Sequence, residues 1–134
     1  MTRLILHPDA VEDLLAIKAS GAVADFKFIL AFLQQAKQDA ALLETLAEHW
    51  FGEDGTANHT VSRVAFLHQR GKRVWRLKVL TLKGLAVGYR LLYAFDEPSK
   101  TFFILGVPPR DIAYEEHHPR IQRLIAAYDR LGLR

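Results

Sequence analysis

Val74-Trp75-Arg76-Leu77-Lys78-Val79 and, after a short interval, Gly88-Tyr89-Arg90-Leu91-Leu92-Tyr93-Ala94-Phe95 decide how this chain folds. In the first segment Trp75, Leu77 and Val79 alternate with Arg76 and Lys78, so a strand would send the two sets to opposite faces. In the second, Tyr89, Leu91, Tyr93 and Phe95 form the bulky set, and Arg90 falls with Leu92 and Ala94. That period of two is the mark of half-exposed antiparallel strands. Turn residues bound them: Arg70-Gly71-Lys72 before, Lys83-Gly84 between, and Asp96-Glu97-Pro98-Ser99 after. The pattern predicts strands over 74–80 and 87–95, with neighbours over 61–67 and 101–107. Pro108-Pro109 ends the last of these, since neither proline can donate to a sheet ladder. Whether Arg76 and Arg90 share a face depends on the parity of the intervening loop. An odd loop sets Arg76 opposite Arg90, and an even one throws Arg90 to the other side. The odd register is expected.

Working outward, residues 2–6 read as a short first strand. Pro8 opens a helix, where its missing N–H costs nothing, and Asp9, Glu12 and Asp13 crowd the positive end of its dipole. This helix stops at Ser20-Gly21. From Val23 to about Trp50, apolar residues recur at three- and four-residue spacing, which predicts one long core-facing helix ended by Gly52-Glu53-Asp54-Gly55. A short C-terminal helix is expected over 119–131, with Gly132 after it. The fold class is α+β: two N-terminal helices packed on one face of a mainly antiparallel sheet, in a single domain spanning residues 1–134. Trp50 and Trp75 are expected in the core.

The 134 residues suffice for a core without staples, and half of them are hydrophobic. There is no cysteine, which removes disulfides, a thiol nucleophile and Cys-based zinc sites, and suits a reducing cytoplasm. The N-terminal apolar run is too short for a signal peptide, and no stretch approaches a membrane span. The net charge of +3 hides a polarity. Between Gly55 and Phe95 there are eight Lys or Arg and no Asp or Glu; the preceding 54 residues sum to −5, and the remainder is neutral. A polyanion is drawn to the middle of this chain.

With helices on one face only, Arg76, Lys78 and Arg90 would share the open face. Arg110 follows the double proline and Tyr114 lies four residues on. Cations and a phenol converging there suit RNA backbone cleavage. The attacking 2′-hydroxyl must lose a proton, the transition state gains charge on its non-bridging oxygens, and the leaving 5′-oxygen must gain a proton. Guanidinium groups donate paired hydrogen bonds to phosphate, and neighbouring cations favour an ionised Tyr. This chemistry calls for no metal or other cofactor. The bland alternative is a solvated strand face, against which stands the absence of acidic residues nearby. None of the six histidines has metal-ligand spacing. Arg73 and Lys83 are expected to bind RNA, as are His117 and His118, which lie close to Tyr114 in sequence; such a histidine pair more often caps a loop.

These segments together resemble toxins of the RelE/ParE superfamily from bacterial type II toxin–antitoxin systems. The likeness rests on His7-Pro8-Asp9-Ala10 through Leu15, the two strands quoted first, and Ile104-Leu105-Gly106-Val107 leading into Arg110-Asp111-Ile112-Ala113-Tyr114. The resemblance implies an mRNA endonuclease acting on the ribosome. Its site residues would be Arg76, Lys78, Arg90, Arg110 and Tyr114, and a cognate antitoxin would be its partner. ParE-like relatives inhibit DNA gyrase and lack the full set, so the five residue types favour the RelE-like branch. Arg76 stands where the family often has Lys. Arg is a poor base, so that role falls to Lys78 or Tyr114.

Overall fold

The computed structural model describes residues 2–55, 57–81 and 83–133. Its five strands are β1 (Arg3–Leu6), β2 (His59–Arg63), β3 (Val74–Val79), β4 (Leu91–Asp96) and β5 (Thr101–Gly106), in the order β1-β5-β4-β3-β2. All pairings are antiparallel except β1 with β5, which run parallel. The helices are α1 (Pro8–Ala19), α2 (Val23–Gln38), α3 (Ala40–Thr45), α4 (Ala65–His68) and α5 (Pro119–Leu131), with a 3-10 turn at Ile112–Tyr114. The α+β class is as the alternation predicts. Among the described residues no helix is long and apolar enough to cross a membrane.

Alternation splits the core in two. Trp75, Leu77, Leu91, Tyr93, Phe102 and Ile104 pack with α1 and α2 residues such as Leu14, Ile17, Ile29 and Leu33. Val74, Leu92, Ala94 and Leu105 face the other way and pack with Ile121 and Leu124 of α5 and Leu67 of α4. The expectation of helices on one face alone is therefore corrected. The amphipathic C-terminal helix covers part of the second face, and Ser62, Arg76 and Lys78 of β2 and β3 are left lining an open cleft.

Four other features differ from the sequence reading. The strand expected over 87–95 forms β4 only from Leu91 to Asp96, with Ala86 and Tyr89 in isolated bridges. The long helix breaks at Asp39, which is extended and whose carboxylate accepts from Leu42 N–H at 3.1 Å, capping α3. The apolar stripe runs across this cap, so periodicity hides it. The strand expected over 61–67 ends at Arg63. Val64 N–H still reaches Val74 O at 3.0 Å, and then the chain coils into α4. Trp50 is not in the core: it is 61% exposed.

The β3–β4 register sets Arg76 opposite Leu92, not Arg90. Beyond the ladder an isolated bridge joins Leu80 to Ala86, a register shifted by two residues, and Leu82 lies outside the described residues. An even shift preserves parity, so Arg76 and Arg90 are on a common face as expected, though not as a direct pair.

α1 and α5 are tied together by Asp13. Its Oδ1 meets Arg120 Nη2 at 2.7 Å and Arg123 Nη2 at 2.8 Å, and its Oδ2 accepts from Val107 N–H at 2.8 Å. Gly106 makes room for this: a Cβ there would lie 3.3 Å from Leu124 Cδ1 and 3.4 Å from Asp13 Oδ2.

Candidate functional site

Strand pairing puts Ser62 of β2, Arg76 of β3 and Leu92 of β4 in one row on the second face. After β5 the chain passes Pro108-Pro109. Arg90 N–H bonds Pro108 O and Ala113 N–H bonds Pro109 O, both at 3.0 Å, and this pins the 3-10 turn beside β3. Ala113 is buried and Tyr114 is left outward and half exposed, at 49%. The Arg76 guanidinium carbon then lies 3.9 Å from the centre of the Tyr114 ring, a stacked cation–π contact.

Arg90 lies inside the wall, not on the surface. It is only 5% exposed, and its Nη1 donates to Val87 O at 2.7 Å and Tyr89 O at 3.1 Å. The guanidinium also approaches the Tyr114 phenol, and Lys78 is close enough for its charge to be felt there. Burial works against ionisation of that phenol. The charge of Arg76, the approach of Arg90 and the charge of Lys78 outweigh it, so Tyr114 is held below the ordinary phenol value. Tyr93 shows the opposite case: fully buried, it donates to Leu46 O at 2.7 Å, and burial pushes its phenol well up. Burial and the neighbouring Arg90 pull Arg76 down while Tyr114 opposes them, but a guanidinium stays charged. Among the described residues, Nε of both Arg76 and Arg90 lacks a hydrogen-bond partner.

Arg76, Lys78 and Tyr114 open into a cleft of about 440 Å³ together with Ser62, Arg63, His49, His68 and Trp50, and Glu53 adds a carboxylate to its wall. Arg110 is exposed and does not line this cleft; its backbone N–H bonds Gly88 O at 3.0 Å. Lys83 is exposed in the β3–β4 connection, away from the cleft lining. Arg73 lines an adjoining groove of about 400 Å³ with Arg63, His68 and Trp75. His118 caps α5, accepting from Arg120 N–H at 3.1 Å, while His117 is exposed 4.0 Å from Glu116. The acid-free segment is also less isolated in space than in sequence. Arg70 pairs with Glu116 and Lys72 with Asp129.

Two cleft histidines escape a reading of spacing. His49 Nδ1 accepts from Arg63 N–H at 3.0 Å, which leaves the ring proton on Nε2. His68 Nε2 lies 2.9 Å from Val74 O and so donates, leaving Nδ1 as an acceptor. Burial and Arg63 hold His49 below its ordinary value, against Glu53. Burial, Arg63, Arg73 and His49 do the same for His68, against its bond to Val74. Both shifts favour the neutral ring. Among the described residues no group of three or more His, Asp or Glu is placed to hold a metal ion. No protein-family model, curated protein or solved structure matches this chain.

Proposed function

We propose that this protein is a RelE-like endoribonuclease, the toxin of a bacterial type II pair, which cuts mRNA on the ribosome in the cytoplasm. The stack of Arg76 on Tyr114 at 3.9 Å carries this reading, because it sets a cation against a phenol whose ionised form it favours. Tyr114 as phenolate takes the proton from the 2′-hydroxyl. The 2′-oxygen then bonds to phosphorus as the bond to the 5′-oxygen breaks, giving a 2′,3′-cyclic phosphate. Arg76 meets the charge on the non-bridging oxygens, and the Lys78 ammonium returns a proton to the leaving 5′-oxygen. Arg90, buried behind them, positions the phenol. A cognate antitoxin with an acidic segment would cover the same cleft.

The test is cleavage of ribosome-bound mRNA by the purified protein. Products ending in 2′,3′-cyclic phosphate are expected, with a rate that rises with pH and levels off below the ordinary phenol pKa of about 10. Tyr114→Phe should lower that rate by roughly 10²- to 10⁴-fold, the usual contribution of a proton-transfer group. DNA damage in expressing cells with intact mRNA would contradict the proposal and point to gyrase.

A further inference from the structure

Trp50 presents most of its indole to solvent on the wall of the cleft, 61% exposed. Its backbone holds φ at 70°, a conformation that is costly for a bulky residue. The surrounding loop enforces it. Trp50 N–H bonds Val61 O at 2.9 Å, and Val61 N–H returns to Phe51 O at 3.0 Å, so the loop is clipped to β2. Gly52, at φ 80°, sits so close to His59 O that a Cβ would come within 2.1 Å. The His49 ring leans on the indole, with centroids 4.1 Å apart at 39°, and is itself held by Arg63 N–H. A strained, clipped loop thus offers an aromatic surface to solvent rather than to the core. By contrast Trp75, the other tryptophan, is buried with Arg63 over it at 5.6 Å.

The cleft beside Trp50 carries more cations than anions, with Glu53 the one carboxylate on its wall among the described residues. Arg63, Arg76 and Lys78 share its cleft, and Arg63 and His68 also line the adjoining groove that holds Arg73. A chain of cations beside a rigid aromatic surface is the arrangement that holds single-stranded nucleic acid, where phosphates follow charge and bases stack. An apolar protein segment would gain from the indole but not from the cations. We infer that Trp50 is a stacking platform for one nucleobase of a single-stranded RNA whose backbone runs from Arg76 and Lys78 past Arg63 toward Arg73. The inference rests on the RNA reading of the cleft and adds the position of a base.

The experiment uses the full chain, a 2′-O-methyl oligouridylate octamer that cannot be cleaved, and an abasic octamer of equal length and charge. The base-bearing octamer should quench tryptophan emission and bind roughly 5- to 100-fold more tightly than the abasic one, the range expected for one stacked base. Trp50→Ala should abolish that preference and Trp50→Phe should keep most of it, with circular dichroism reporting that both remain folded. A folded Trp50→Ala that keeps the wild-type preference would overturn the platform and assign the indole to a protein contact, while the cleft reading would survive if Lys78→Ala still weakened binding to both octamers. Failure of the wild-type protein to bind either octamer would overturn the platform and the reading of the cleft as a surface for free single-stranded RNA, while cleavage of ribosome-bound mRNA remains the separate test of the nuclease.

Discussion

Two arginine clusters in this molecule differ in what answers their charge. Arg120 and Arg123 close on the buried carboxylate of Asp13, at 2.7 and 2.8 Å. Even the Nε of Arg123, which makes no hydrogen bond among the described residues, lies 3.6 Å from Asp9 Oδ2. Around Tyr114, Arg76 stacks on a phenol, Arg90 donates to two backbone carbonyls, and neither is ion-paired to a carboxylate among the described residues. The first cluster is internally neutralised and joins α1 to α5. The second keeps its positive charge, with Arg76 lining the cleft and Arg90 buried in the wall behind it. Arginines that have a carboxylate hold a fold together; Arg76, which has none and lines the cleft, keeps its donors for an incoming anion.

The comparison breaks first on stability. Asp13→Ala should cost about 2–4 kcal/mol, because it orphans Val107 N–H, removes the carboxylate that pairs with Arg120 and leaves Arg123 only the more distant Asp9. Arg76→Ala should cost less than about 1 kcal/mol, the size of a partly exposed cation–π contact. Urea unfolding of both variants checks this, and equal losses would make the cleft as structural as the clamp.

A smaller effect separates the two faces by pH. His59 is buried between Phe32 and Phe51, with its Nε2 2.9 Å from Thr45 Oγ1, and burial pushes its pKa down. The folded state therefore favours the neutral ring, whereas the unfolded chain takes up a proton near pH 6.5. Stability contributed by this ring is complete above about pH 6.5 and is lost as pH falls below it, by at most about 1.4 kcal/mol per pH unit for one group. Unfolding midpoints measured from pH 7.5 to 5 should show this decline. His59→Leu should flatten most of it, leaving the part due to His49 and His68, which lie in the more open cleft.

Local pattern made much of this legible. The alternation in β3 and β4 identified which side chains share a face, and Pro119 and Gly132 bracket α5, with Gly132 adopting the left-handed conformation at its C-cap. What sequence could not show depends on residues far apart. Asp13 reads as a helix N-terminal acid until Arg123, 110 positions away, is seen beside it. The same clamp brings α5 onto the second face, which is why the open surface is smaller than alternation suggests. Arg90 is buried because the segment after β5 folds over it, and His49 and Trp50 reach the cleft only because their loop is clipped to β2. The relation of Arg76 to Tyr114 was legible as residue types, but the 3-10 turn that stacks them was not.

The salt dependence of RNA binding tests the contrast most directly. Affinity for the 2′-O-methyl octamer should fall with salt in the wild-type protein. In Lys78→Ala the slope of log affinity against log salt should shrink by about 0.7, the loss of one phosphate contact on a single strand. In Arg123→Ala, whose charge is already answered by Asp13, the slope should not change. An unchanged slope in Lys78→Ala, or an equal loss in Arg123→Ala, would contradict the claim that the cleft cations are the ones held ready for phosphate.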